Sequence, residues 1–218
     1  MAAERGARVH GIDAAPALVE IARLRAPGAD VRVGDAEALP YADARFDLVA
    51  GFNVFFFASD LVAALREAGR VARPGAPVVA GVWGRSEACD MLRVVAAVRA
   101  LGGARDGGGP SLADPGVLEG LAARAGLEPD LAFDRTLALH YPDLDTFVRR
   151  VASAGPMVGA AEAHGSAAVA DAVRAATAPF RRADGSVRLE NEWRYLVSRA
   201  SSRSAFTTAP ESTMIARA

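Results

Sequence analysis

The first 84 residues alternate between two hydrophobic periodicities, and this alternation limits the folds open to the chain. Four short apolar runs have the length and composition of β-strands: residues 8–13, 31–35, 46–52 and 77–83. Between them, apolar residues recur at helical spacing after Pro16 and again over residues 61–71, where Ser59 is expected to cap the helix. Strands that alternate with amphipathic helices predict an α/β fold with a mostly parallel sheet and helices on both faces.

Acidic residues end two of these strands. Asp13 closes the first run, Asp35 closes the second, and Phe52 closes the third. In open α/β sheets, ligands bind at the carboxyl ends of the strands. Because parallel strands bring these ends to one edge of a sheet, we expect Asp13, Asp35 and Phe52 to border a single cleft.

The second half of the chain is less regular. Helical spacing is found in four stretches: residues 88–101, 114–126, 144–154 and 158–178. Residues 127–141 contain β-like stretches, and residues 187–199 alternate like a final strand, so a helical insertion precedes the last strand. We expect one domain over residues 1–200, with a glycine-rich loop at 102–110 and a disordered tail at 201–218.

Composition excludes several classes of protein. The 25 basic and 26 acidic residues leave a net charge of -1, without the cationic surface of a nucleic-acid binder. No apolar run is long enough to span a bilayer. The absence of lysine excludes a Walker A site and a Tyr-x-x-x-Lys hydride-transfer pair. The single cysteine, Cys89, and three histidines lack metal-ligand spacing. We expect a cytoplasmic protein with no metal, membrane or nucleic-acid partner, and its oligomeric state stays open.

The same residues resemble a known family. The segments that carry the resemblance are VHGIDAAPALVEIAR, VRVGDAEALPYADARFDLV and LREAGRVARPGAPVVAGVWG. Together they look most like the class I S-adenosylmethionine-dependent methyltransferases of ubiquinone and menaquinone biosynthesis. The resemblance covers roughly residues 4–84. It implies a Rossmann-like sheet, S-adenosylmethionine as cofactor, and transfer of its methyl group to a small-molecule acceptor. It also makes residues 1–84 the cofactor-binding half and residues 85–200 the substrate-side half.

The resemblance assigns cofactor contacts to the two strand-end acids and the residues that follow them. Asp13, followed by Ala14, is expected to accept hydrogen bonds from the ribose hydroxyls. Asp35 is expected to accept from the adenine amino group, while the Ala36 amide addresses the ring. Each acid also has a purely structural alternative: Asp13 can cap the helix that Pro16 opens, and Asp35 can be an ordinary turn residue.

Phe52 and Asn53 are expected to lie beside the methionine portion of the cofactor. An aromatic face near a sulfonium is favourable because the ring quadrupole attracts a cation. Asn53 has an equal alternative role, since it can cap a turn. No general base is assigned, because His10, His140 and His164 are scattered along the sequence and each has a structural or surface alternative.

The sequence departs from the family pattern at its beginning. In the family, a strand and a GxGxG-type loop precede the segment that here reads AAERGAR, and that strand lies between those at 8–13 and 46–52. The Gly107-Gly108-Gly109 run is in the wrong place to substitute for the loop. Without the strand, two apolar strand edges are left open. Three interpretations stay open: the chain is a fragment, its start site is wrongly assigned, or the protein has lost cofactor binding. In the last case the alternative function is a catalytically inactive remnant that acts through protein–protein contacts, with another chain adding a strand.

Overall fold

A computed structural model describes residues 2–103 and 111–201 of the chain. Its strands are β1 (His10–Asp13), β2 (Asp30–Val33), β3 (Val49–Phe52), β4 (Pro77–Trp83), β5 (Leu127–Tyr141) and β6 (Val187–Ala200). Its α-helices are α1 (Pro16–Arg25), α2 (Leu61–Val71), α3 (Asp90–Arg99), α4 (Val117–Arg124), α5 (Leu144–Ala152), α6 (Gly155–His164) and α7 (Ser166–Thr177). The residues expected in the glycine-rich loop from 104 onward, and those expected in the tail from 202 onward, lie outside this description.

The strands are arranged in two sheets. β1 and β2 form a parallel pair, and the second sheet has the order β3-β4-β6-β5. β3 is parallel to β4, whereas β6 runs antiparallel to both of its neighbours. The predicted α/β fold is confirmed, with parallel pairing in the first half of the chain and antiparallel pairing added by the last two strands. One edge of β1 and one edge of β3 therefore have no neighbouring strand among the described residues.

The first hydrophobic core lies between the larger sheet and the helices α2 and α4. Helix α2 carries its apolar residues on one stripe, so Leu65 and Ala68 are buried against the sheet residues Val78 and Leu196. The expectation that Ser59 caps this helix is wrong. Asp60 occupies the N-cap position, because its carboxylate accepts a hydrogen bond from the Ala63 amide at 3.0 Å.

A second core forms between β6 and a group of helices on its other face. Phe147 of α5 and Val173 of α7 are buried with Val187 and Leu189 at the start of β6. The predicted helical insertion before the last strand is thus present. Its helical stretch at 158–178 is divided, because Gly165 takes a positive φ of 88° between α6 and α7.

The third predicted strand is shorter than its apolar run. Phe46 pairs its backbone with Val71 and Arg73 at the end of α2, so regular pairing with β4 begins only at Val49. Asp47, just before β3, pairs with the Arg73 guanidinium. Among the described residues, no helix has the length and apolar character that a membrane span requires.

Two leucine variants test which surfaces the helices bury. Leu65 is 1% exposed on α2, whereas Leu24 is 84% exposed on α1. We expect Leu65→Ala to lower the free energy of unfolding by about 2–5 kcal/mol, because it leaves a cavity in the first core. The matched control Leu24→Ala should change it by less than about 0.5 kcal/mol. Urea titration followed by circular dichroism measures both, and equal losses would contradict the assignment of the core.

Candidate functional site

The carboxyl ends of β1 and β2 meet at one edge of the smaller sheet. Asp13 pairs in register with Val33, and the Gly34 amide donates to the Asp13 carbonyl at 3.1 Å. A Cβ at position 34 would stand 3.2 Å from the Ile12 side chain, so glycine permits the close approach of the two strand ends. Asp35 follows directly, and both acids therefore leave their strands at the same edge, as the sequence predicted.

Each acid uses one carboxylate oxygen to stabilise the turn that follows it. Asp13 Oδ1 accepts from the Ala15 amide at 2.8 Å, and Asp35 Oδ1 accepts from the Glu37 amide at 2.9 Å. Asp35 is thus a turn residue, as its structural alternative stated, whereas Asp13 stabilises the turn before α1 and does not cap the helix, whose N-cap position is Ala15. The second oxygen of each carboxylate has no hydrogen bond from the residues described, so each can still accept one from a ligand.

Phe52 and Asn53 end β3. The Phe52 ring lies over Gly81 and makes an edge contact with Tyr195, with the ring centroids 6.2 Å apart, while 56% of the residue is exposed. Asn53 adopts a positive φ of 52°, and its amide donates to the Gly81 carbonyl at 2.7 Å. Its side-chain Oδ1 is buried and accepts no hydrogen bond from the described part of the chain. That oxygen is an acceptor without a partner beside the strand end.

A cavity of about 260 Å³ lies between the two sheets. Residues of β1, β3 and α2 line it, together with Ala36 from the loop after β2. Ala14 follows Asp13 and is exposed at the same edge. Of the six predicted site residues, Ala36 lines this cavity. Asp13, Ala14 and Asp35 lie at one edge of the smaller sheet, and Phe52 and Asn53 end β3 of the larger sheet.

The loop after Asp35 is held in place by α2 through contacts that the sequence did not reveal. Arg70 donates to the Leu39 carbonyl at 2.9 Å and to the Tyr41 carbonyl at 2.8 Å, and it also pairs with Asp43. Glu67 accepts from Arg70 at 2.6 Å and from the Leu39 amide at 2.8 Å. These hydrogen bonds, above all those from Arg70, lower the pKa of the Glu67 carboxyl.

Glu37 makes a second link between this loop and α2. Its carboxylate accepts from the Ser59 amide at 2.6 Å and from the Asp60 amide at 3.2 Å, just before the helix begins. Such contacts join residues more than 20 positions apart, and neither periodicity nor local spacing signals them. The loop that carries Asp35 and Ala36 is therefore anchored at two points on α2.

An aromatic row extends from the site across the open face of the larger sheet. Tyr195 lies between Phe52 and Phe133, and the rings of Phe133 and Tyr195 are stacked at 5.3 Å. Trp83 and Trp193 stack at 4.2 Å further along the same strands.

The other titratable residues considered from the sequence lie elsewhere. His10 is half-buried in β1, 3.2 Å from an Asp30 carboxylate oxygen, whereas His140 and His164 are exposed. Burial raises the pKa of the Cys89 thiol, so this thiol stays protonated at neutral pH. Over residues 2–103 and 111–201, no three His, Cys, Asp or Glu side chains are grouped to hold a metal ion.

The first 80 residues are similar to a known protein family. Residues 1–80 match the family model of the methyltransferase domain. The chain is 41% identical over 76 residues to a malonyl-[acyl-carrier protein] O-methyltransferase of Serratia marcescens, covering 35% of this chain and 30% of that protein. It is 42% identical over 76 residues to a demethylmenaquinone methyltransferase of Chlorobaculum parvum, covering 34% and 31%. The chain thus spans about 30% of the length of these curated relatives.

Solved structures resemble this chain over most of its length. A methyltransferase-like protein of Bacillus halodurans has a TM-score of 0.57 at 16% identity, covering 89% of this chain and 84% of that one. The [4+2]-cyclase SpnF has a TM-score of 0.54 at 20% identity, covering 89% and 67%. At these identities the likeness shows the shared fold.

The contact between Glu67 and Arg70 predicts a pH-dependent stability. A carboxyl whose pKa is lowered by folding stabilises the protein above its unfolded pKa, and the effect is lost as pH falls through the folded value. We expect Glu67→Gln to cost about 1 kcal/mol of unfolding free energy at pH 7, and this difference from wild type to vanish near pH 3. The exposed Glu20→Gln is the control. Urea titrations at both pH values measure the effect, and a difference that grows in acid would contradict it.

Proposed function

We propose that this chain is a class I S-adenosylmethionine-dependent methyltransferase that transfers a methyl group from S-adenosylmethionine to a small-molecule acceptor. The proposal treats residues 1–84 as the cofactor-binding half of one domain and residues 85–200 as its substrate-side half. The observation that carries it is that Asp13 and Asp35 leave neighbouring parallel strands at one edge, within the segment that matches the methyltransferase domain.

The two acids fit the nucleoside part of the cofactor. Asp13 has one carboxylate oxygen engaged with the Ala15 amide and one available to accept from the ribose hydroxyls. Asp35 is arranged in the same way. One of its carboxylate oxygens accepts from the Glu37 amide, and the other is assigned to the adenine amino group. Because the engaged oxygen orients each carboxylate in advance, little conformational entropy is lost when the second oxygen binds.

Phe52 and Asn53 fit the sulfonium and methionine end. The Phe52 ring is held against Gly81 and Tyr195 at its inner side, which leaves the rest of the ring exposed to a ligand. A cation over an aromatic ring is stabilised by about 0.5–2 kcal/mol, depending on its desolvation. The unpartnered Oδ1 of Asn53 supplies an acceptor for the cofactor's ammonium group.

The task of these residues in catalysis is to position the reactants. S-adenosylmethionine supplies a methyl carbon that its sulfonium has already activated. Asp13 and Asp35 hold the nucleoside, while Phe52 fixes the position of the sulfonium, so the acceptor needs only to approach in line and without intervening water. A general base is required only for an acceptor that loses a proton as it attacks, and no side chain is assigned to that role.

The substrate-side half offers an aromatic surface next to Phe52. Tyr195 and Phe133 continue this surface away from the strand end, and the Arg135 guanidinium lies 4.9 Å from the centre of the Phe133 ring. The relatives named for malonyl-[acyl-carrier protein] and demethylmenaquinone support a metabolite acceptor. Neither relative supports the inactive alternative.

Amide variants of the two acids test the cofactor site. Asp13→Asn and Asp35→Asn keep an oxygen that can accept from the Ala15 or Glu37 amide, but they remove the charge from the ligand side. We expect each variant to weaken S-adenosylmethionine binding about tenfold or more, with unfolding free energy within about 0.5 kcal/mol of wild type. Calorimetric titration measures the affinity, and exposed Asp171→Asn on α7 is the control. No binding by the wild-type chain, or equal binding by all variants, would refute the site.

A phenylalanine variant tests the sulfonium contact separately. Phe52→Leu should weaken binding of S-adenosylmethionine by about threefold to thirtyfold but weaken uncharged S-adenosylhomocysteine much less, because a cation–π interaction requires the positive sulfur. The control is Phe133→Leu, which alters the same aromatic row away from the strand end. If Phe52→Leu weakens both ligands equally, Phe52 contributes only apolar contact.

A further inference from the structure

The aromatic row lies on the face of the larger sheet that points away from α2 and α4. Side chains alternate along a strand, so Tyr195 lies on the face opposite Leu196, which is buried in the first core. Strand pairing places Phe133 directly beside Tyr195, and it places Phe52 on the same face through Gly81. Because Phe52 is 56% exposed, a ligand can reach this face beside the candidate cofactor site.

The rings of the row follow one another across the sheet. The Phe52 ring lies over Gly81 of β4, Tyr195 follows on β6 with its centroid 6.2 Å from that of Phe52, and Phe133 follows on β5. None of these three rings is fully buried. The row therefore offers a continuous aromatic surface on which an apolar or aromatic ligand can pack.

Arg135 ends the row on β5. It is two residues from Phe133 and so shares its face, and its guanidinium lies 4.9 Å from the centre of the Phe133 ring. Its Nη1 donates to the Asp134 carbonyl at 2.9 Å. The ring and this hydrogen bond hold the guanidinium at the end of the row, where Arg135 is exposed and has no carboxylate partner among the residues described.

Arg135 differs in this respect from the arginines of the neighbouring strand. Each arginine of β6 already has a carboxylate partner: Arg188 pairs with Glu190, Arg194 with Glu119 and Asp134, and Arg199 with Asp130. A guanidinium is a planar fork that binds a carboxylate through two parallel hydrogen bonds. The free donors of Arg135 therefore favour a ligand that brings its own carboxylate.

The length of the row limits the size of that ligand. Neighbouring strands lie about 4.8 Å apart, so about 10 Å separates β4, which the Phe52 ring covers, from β5, which carries Arg135. An acid with a single ring is too short to reach from Phe52 to the guanidinium. Two linked rings have the required length.

We propose that the methyl acceptor is an elongated aromatic carboxylic acid that binds along this row. Its carboxylate pairs with Arg135, its rings pack against Phe133 and Tyr195, and its opposite end carries the atom to be methylated and lies beside Phe52. This assignment rests on the proposed methyl transfer and on the place given there to Phe52. It makes Arg135 the residue that selects an acidic acceptor.

The test titrates the full chain with a hydroxybiphenyl carboxylate whose two groups are at opposite ends, in the absence of cofactor. We expect calorimetry to show one molecule bound per chain. The matching carboxamide has the same shape without the charge, and it should bind about tenfold more weakly. Hydroxybenzoate, which has one ring, should also bind at least about tenfold more weakly, because it contacts only part of the row.

Variants separate the charge from the aromatic contact. Arg135→Gln should weaken binding of the acid about tenfold but leave the carboxamide within about twofold. The matched control is the exposed Arg124→Gln on α4, which should leave both affinities unchanged. Tyr195→Leu should weaken the acid and the carboxamide equally, by about threefold to tenfold, because it removes a ring and no charge. Urea titration of each variant checks that it is folded.

Two results would overturn the acceptor class. The first is equal binding of the acid and the carboxamide, or binding of the acid that Arg135→Gln does not change. The second is displacement of the acid by S-adenosylhomocysteine, because cofactor and acceptor must bind the chain together.

A separate titration with S-adenosylmethionine distinguishes this proposal from the proposed function. Binding of S-adenosylmethionine without binding of the acid would overturn the acceptor class alone. Binding of the acid by a chain that does not bind S-adenosylmethionine would refute the proposed function, and the acceptor role of the acid with it.

Discussion

The guanidinium of Arg70 holds the smaller sheet to the rest of the molecule. It lies at the end of α2, where Glu67 neutralises it, and it donates to the carbonyls of Leu39 and Tyr41 in the segment that joins β2 to β3. No strand pairing links the two sheets in the described structure, so side-chain contacts must do so. The rings of His10, Tyr41 and Phe46 add edge contacts at 4.9–5.7 Å. The position of Asp35 relative to Phe52 depends on these few interactions.

The candidate cofactor site is a consequence of the parallel strand arrangement. Parallel strands place their carboxyl ends at one edge, which brings Asp13 and Asp35 together at the edge of the smaller sheet. Each acid uses one oxygen to stabilise the turn that follows it, so the strand ends also fix the direction of the carboxylates.

The similar structures show that a shared fold does not mean a shared reaction. Structures that share this fold at 16–20% identity include a methyltransferase-like protein and a [4+2]-cyclase, so the architecture alone does not specify a reaction. What supports methyl transfer is the match of residues 1–80 to the methyltransferase domain and the strand-end residues within it. Residues 85–200 lie outside this match, and the aromatic row centred on Tyr195 rests on the structure.

Local pattern determined much of this protein from the sequence alone: the order of strands and helices through residue 84, the acids at the ends of β1 and β2, and the helical insertion before β6. These features depend on periodicity and on turn residues that act over a few positions. Tertiary structure decided the rest. The division into two sheets, the capping of α2 by Asp60, and the anchoring of the Asp35 loop by Glu37, Glu67 and Arg70 all involve contacts that compete with local preferences or join distant segments. Such contacts have no periodic signal, because they depend on which residues the folded chain brings within hydrogen-bonding distance.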